Sequence, residues 1–84
     1  MNTLEHLVYM VNQIARNFGT LDQDSAAEAT AEHILKYWDP RMKRRIVAHA
    51  GEGPTDLSDV ATLAVSIVGR RADSSAAVTT SIAS

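Results

Sequence analysis

The side chains able to carry acid–base or metal chemistry in this sequence are three histidines, His6, His33 and His49, and a set of acids that includes Glu28 and Glu32. A metal site needs several ligands brought together, and the common short signatures set two of them one helical turn apart. No two of these histidines have that spacing, so each reads as a surface or boundary residue. Glu28 and Glu32 do lie one turn apart, as paired carboxylates would, but acids on a solvated helix face have the same spacing. Cysteine is absent, which removes thiolate ligands, disulfides and cysteine nucleophiles. Gly51-Glu52-Gly53-Pro54 lacks the lysine and the longer spacing of a phosphate-cradling loop and reads as a helix exit and turn. The serines near the C-terminus have no oriented base. Nothing in these patterns supports nucleophilic or metal catalysis.

The stretch KYWDPRMKRR, residues 36–45, has a different character. It holds the single tryptophan, Trp38, then Asp39 and Pro40, and then four cations, Arg41, Lys43, Arg44 and Arg45, around Met42. At about 100° per residue, Arg41, Arg44 and Arg45 fall within roughly 100° of one another on a helix. Met42, Ile46, Val47 and Ala50 take the other side, with Lys43 among them extending its stem along apolar surface. Arginine forks suit bidentate pairing with carboxylates or phosphates. Each feature also has a plainer explanation. Trp38 serves equally as a core plug at a helix corner, and the arginines as a solvated face. DNA recognition by such a helix would want base-reading amides and a second basic cluster along the phosphate backbone. The patch has neither.

The elements that must position this stretch are helices, and no strand pattern is present. The first helix runs from about Thr3 to Phe18, with Leu4, Leu7, Val8, Val11, Ile14, Ala15 and Phe18 recurring at three- and four-residue spacing. Asn2 and Glu5 suit a capping box at its start, and Gly19 stands where a left-handed C-terminal residue is expected. Asn12 and Gln13, adjacent amides on this helix, suit interhelical or intersubunit hydrogen bonds, or plain solvent exposure. A second, alanine-rich helix is expected to begin at Ser25, paired with Glu28 in an S-x-x-E box, and to stop before Pro40. Asp39 and Pro40 then open a third helix that reaches about Ala50. A fourth, capped by Asp56 or Ser58, shows Leu57, Val60, Ala61, Ala64, Ile67 and Val68 on one face, widened by Leu63 and Val65, and is expected to end at Gly69-Arg70-Arg71. Residues 71–84, rich in Ser, Thr and Ala, read as a disordered tail. The fold class is therefore all-α, a small bundle of three to four helices with a disordered C-terminal tail, and residues 1–70 form the helical domain.

An 84-residue chain is one domain at most. It hides only roughly 60–65% of the surface exposed by its unfolded chain, which leaves its stability marginal. With no disulfide and 5% aromatic residues, completion by a partner is expected. The formal charge of −2 argues against bulk polyanion binding, yet its distribution is uneven. Residues 1–39 carry a net −4, residues 40–51 a net +4 without an acid, and the remainder a net −2. A basic segment flanked by acidic ones suggests a local docking patch. The N-terminal stretch lacks a basic leader, and no run approaches the ~18 apolar residues of a transmembrane helix, so the expected location is cytoplasmic, with no membrane partner.

LVYMVNQIARNF at 7–18, HILKYWDPRMKRRIVAHA at 33–50 and GEGPTDLSDVATLAV at 51–65, with the acidic alanine-rich helix between, resemble the delta subunit of soluble, NAD-dependent, molybdenum-containing formate dehydrogenases. Met10, Asn12-Gln13-Ile14-Ala15 and Trp38-Asp39-Pro40-Arg41-Met42 carry the resemblance, which spans roughly residues 4–68. One departure is Asp59, where many relatives have a proline after the equivalent of Leu57-Ser58; aspartate is also comfortable in a first helical turn. The tail from Ala72 has no counterpart in the pattern.

The resemblance implies a non-catalytic subunit that binds no cofactor itself. In that family the alpha subunit holds bis-molybdopterin guanine dinucleotide and iron–sulfur clusters, beta and gamma carry FMN and further clusters, and NAD accepts the electrons. The partners it implies are the other formate dehydrogenase subunits, foremost the large catalytic alpha subunit. The candidate partner-binding residues are Trp38, Asp39, Pro40, Arg41, Met42, Arg44 and Arg45, then Asn12 and Gln13. Two alternatives stand beside this reading: a transient maturation or cofactor-loading chaperone for the catalytic subunit, and a small helix-turn-helix DNA-binding protein.

Overall fold

A computed structural model describes residues 3–53 and 55–83, with the backbone alone for 72–83. It contains four helices in chain order: α1 (Leu4–Asn17), α2 (Gln23–Tyr37), α3 (Pro40–Ala50) and α4 (Asp59–Ala83). The described residues include no strand. The expectations of a disordered tail and of a domain boundary near residue 70 fall on residues that are not fully described, as does the capping role of Asn2.

The helices form because their apolar stripes share one core. Leu7, Val8, Val11 and Ala15 of α1 meet Ala27, Ala31 and Ile34 of α2, and Ile46 comes from α3. Leu57 and then Ala61, Ala64, Val65, Ile67 and Val68 close the core from the α4 side. The interface of α2 with α4 is the most extensive in the molecule. Both helices present alanines there, which lets their backbones approach closely. The buried Thr30 hydroxyl donates to the Ala26 carbonyl at 2.8 Å, so this polar group in the core keeps a hydrogen bond.

Three punctuation marks differ from the sequence expectation. The second helix begins at Gln23 rather than Ser25: Asp22 is its N-cap, and its carboxylate accepts from the Ser25 backbone N–H at 3.2 Å. Hydrogen bonding to Ser25 holds the Asp22 carboxyl below its usual range. Gly19 is not left-handed, because Gly53 is the one described glycine with positive φ. A Cβ at Gly19 would instead lie 3.0 Å from the Arg16 carbonyl oxygen, so the residue relieves crowding at the end of α1. Gly69 does not end α4, which continues through it. A Cβ there would stand 3.2 Å from Val47 Cγ1, so Gly69 permits α3 to lie close against α4.

Candidate interaction surface

The corner between α2 and α3 is built by three consecutive residues. Trp38 leaves the helix with ψ 143°, and Asp39 continues extended at ψ 166°, as expected of a residue preceding proline. The Trp38 side chain is 5% exposed and belongs to the core, so the core-plug reading of this residue holds. Asp39 is the N-cap of α3, and its Oδ1 accepts from the Met42 backbone N–H at 2.8 Å. Pro40 occupies the first turn, where its missing N–H forfeits no helical bond.

Beyond this corner the cations of α3 divide. Lys43 Nζ donates to the Leu35 carbonyl near the end of α2 at 3.3 Å, a favourable place for a cation at a helix C-terminus. Arg41, Arg44 and Arg45 are exposed. Among the described residues the recorded ion pair is Arg71 with Glu28 at 2.6 Å, and none of the three α3 arginines has an acidic partner. Ile46 is fully buried on the opposite side, so the helix is amphipathic as its spacing predicts.

Arg41, Met42 and Arg45 line a groove of about 440 Å³ between α3 and α1, together with Thr3, His6, Leu7 and Met10. Leu7 is a core residue, and Met10 and Met42 pack partly buried against the core. The floor is thus apolar and the rim cationic. Arg44 is not part of this lining. On the wheel it lies about 100° from Arg45 on the side away from α1. His6, Leu7 and Met10 were not among the sequence-predicted site residues. The signal for them was present, since Met10 and His6 sit one turn apart beside the apolar stripe.

Asn12 and Gln13 separate cleanly. Asn12 Nδ2 donates to the Asp56 carbonyl at 3.0 Å, and its Oδ1 accepts from the Ser58 N–H at 2.9 Å. One amide therefore clamps the loop that enters α4, and the Ser58 hydroxyl caps α4 by accepting from the Ala61 N–H at 3.2 Å. The same loop is held to α3 by a hydrogen bond between His49 Nε2 and Thr55 Oγ1 at 2.7 Å. Gln13 is exposed and has no recorded side-chain partner. Asn12 thus spends both ends of its amide within the chain, on the loop before α4 rather than on another helix.

A larger cavity, about 640 Å³, lies elsewhere, lined by Phe18, Leu35, Ala29, Glu32, His33, Lys36 and Tyr37. The His33 and Tyr37 rings meet at 4.8 Å between centroids, tilted by 49°, on its side, a contact given away by their four-residue spacing. Glu32 and Lys36 put opposite charges on this rim, so it offers no field favouring either sign. The smaller groove differs in that its charged lining, Arg41 and Arg45, carries one sign. Among the described residues no three His, Asp or Glu side chains converge in a way that could hold a metal ion. No helix among them is long and apolar enough to cross a membrane.

No curated protein and no solved structure matches the chain significantly. Residues 6–65 match the family described as the NADH-dependent formate dehydrogenase delta subunit FdsD. That span takes in α1 from His6 onward, α2, the Trp38–Pro40 corner, α3 and the first part of α4, and so every residue of the groove except Thr3. With most of its length covered by this match, the chain belongs to the FdsD family of formate dehydrogenase delta subunits.

Proposed function

We propose that this chain is a non-catalytic accessory subunit that supports the assembly or stability of a cytoplasmic formate dehydrogenase. The other subunits oxidise formate to carbon dioxide and reduce NAD+, and they hold the molybdenum, iron–sulfur and flavin cofactors. The observation that carries this reading is the exposed, acid-free face of α3, with Arg41, Arg44 and Arg45 unpaired inside a chain of the delta-subunit family. Among the described residues this face makes no ion pair within the chain. Matched to carboxylates on another subunit, and partly desolvated there, the same charges become strong, oriented contacts. The large catalytic subunit is the partner we assign. Trp38, Asp39 and Pro40 act behind this face by setting the direction of α3.

The test is co-expression of the chain with the remaining formate dehydrogenase subunits, purification through a tag on it, and native mass spectrometry of the product. A stoichiometric, cofactor-loaded complex is expected. Recovery of a cofactor-free large subunit alone would instead establish the maturation role, and recovery of the chain by itself would overturn both. Replacement of Arg41, Arg44 and Arg45 by alanine together should release the chain from the complex at physiological salt. Full retention would remove the arginines from the interface.

A further inference from the structure

We infer that the groove between α1 and α3 receives one short segment of a partner protein, an apolar side chain flanked by two carboxylates about one helical turn apart. The partner's identity rests on the accessory-subunit reading; the chemistry of the groove does not. The floor of Leu7, Met10 and Met42 is continuous with the core, and two methionines give it a pliable, polarizable surface that adapts to the shape of an inserted side chain. Arg41 and Arg45 stand four residues apart on α3, which places their stems about 6 Å apart along the axis. That spacing matches two carboxylates one turn apart on a facing helix, each able to take an arginine fork. His6 is on the lining from the α1 side, and no acid among the described residues lines the groove. Glu5, its exposed neighbour in sequence, makes no recorded ion pair with either arginine.

A phosphate-bearing ligand fits less well for two reasons. Phosphate sites draw on backbone N–H groups at a helix N-terminus, but at α3 the Met42 N–H is already taken by the Asp39 carboxylate. That carboxylate also places a negative charge where a phosphate would approach. The second reason is the apolar floor, which a phosphate would leave unused. The α3 patch therefore divides in function: Arg41 and Arg45 flank the inserted segment, while Arg44 lies outside the groove and contributes only to the field around it.

A photo-reactive benzophenone side chain placed at His6 of the full chain, within the co-purified complex, tests the groove. A matched probe at Tyr37, which is 69% exposed on the other cavity, is the control. The expected product joins position 6 to one segment of another subunit that carries an apolar residue within a turn of two acids. Arg41→Glu with Arg45→Glu should lower its yield by roughly tenfold or more, since like charges now face each other, while Arg44→Glu has the smaller effect. The charge-reversed chain should keep its circular dichroism spectrum and melting temperature, because among the described residues these side chains make no ion pair. If the complex forms and only the Tyr37 probe reacts, the groove assignment is wrong and the accessory role survives. If no complex forms, the accessory role fails and the groove is judged by nuclear magnetic resonance on the full chain. There a synthetic helical peptide with one leucine and two glutamates at i and i+4 should shift the resonances of His6, Met10 and Met42. A glutamine version of that peptide should not. Equal shifts with the glutamine peptide, stronger shifts with inorganic pyrophosphate, or a dimer of the chain filling the groove would each overturn the proposal.

Discussion

Trp38-Asp39-Pro40 and Arg41–Arg45 are neighbours in one short motif, yet the chain uses them differently. The first three residues are spent inside the chain: an indole in the core, a carboxylate on a backbone N–H, a ring in the first turn of α3. Of the cations that follow, Lys43 alone has an internal partner among the described residues. The difference separates what makes the fold from what the fold presents. A motif can be specific to a family for both reasons at once, and substitutions should split it cleanly into a half that melts the protein and a half that only disconnects it.

The largest effect is expected at the inward half. Trp38→Ala removes the largest side chain of the core at the corner where α2 meets α3, and such truncations cost about 3–5 kcal/mol. In a chain this small that is a large part of total stability. Thermal unfolding followed by circular dichroism should show a much lower midpoint or no cooperative transition, with Trp38→Phe recovering most of it. A Trp38→Ala variant that melts normally but fails to join the complex would move Trp38 into the interface and break the comparison.

Next in size is Asn12→Ala. It deletes two hydrogen bonds and leaves the Asp56 carbonyl and the Ser58 N–H to find water, at a cost of about 1–3 kcal/mol by the usual range for lost pairs. Gln13→Ala, one position along, should change stability by less than about 0.5 kcal/mol. Urea denaturation of both variants checks the pair. Equal losses would show that the amides act through helix propensity rather than through the clamp. Asp39→Ala follows at about 1 kcal/mol, the ordinary worth of an N-cap. Because it also frees the α3 N-terminus, this variant should gain pyrophosphate affinity if the carboxylate is what keeps phosphate away.

Much of this division could be read from the residues alone. The periodicity of Leu7, Val8, Val11 and Ala15 and the Asp39-Pro40 boundary gave the helices and the corner because both are local signals. The start of α2 was misplaced because two overlapping capping signals, Asp22 with Ser25 and Ser25 with Glu28, compete within a few residues. Local sequence cannot choose between them; the earlier cap brings Ala26 and Ala27 fully into the helix, where both are buried. Gly69 misled for a related reason. Its cost of about 1 kcal/mol within a helix is local, whereas its benefit, room for Val47, belongs to a contact between α3 and α4. The groove was legible only in part. Spacing showed which face of α3 carries arginine, but periodicity does not say which helix lies beside that face. His6 and Met10 therefore emerged only once α1 was placed against it.

The smallest effect gives the sharpest contrast, since among the described residues it sets the cation with an acidic partner against those without one. Arg71 and Glu28 link α4 to α2 at 2.6 Å, with side chains 44% and 54% exposed. At that exposure water screens the pair, and it should contribute only about 0–1 kcal/mol. Arg71→Ala, Glu28→Gln and their combination form a double-mutant cycle whose coupling should stay below that bound and shrink further in 1 M salt, where the screening length falls to about 3 Å. Subunit association should be indifferent to all three variants. Arg41→Glu with Arg45→Glu should give the reverse pattern, a melting temperature close to wild type and a lost complex. If breaking the Arg71–Glu28 pair also releases the chain, the interface extends across the α2–α4 face and the division between an inward and an outward half of the molecule is too simple. If it does not, internal pairing is the property that separates the cations of this chain, and the unpaired ones are those available to another subunit.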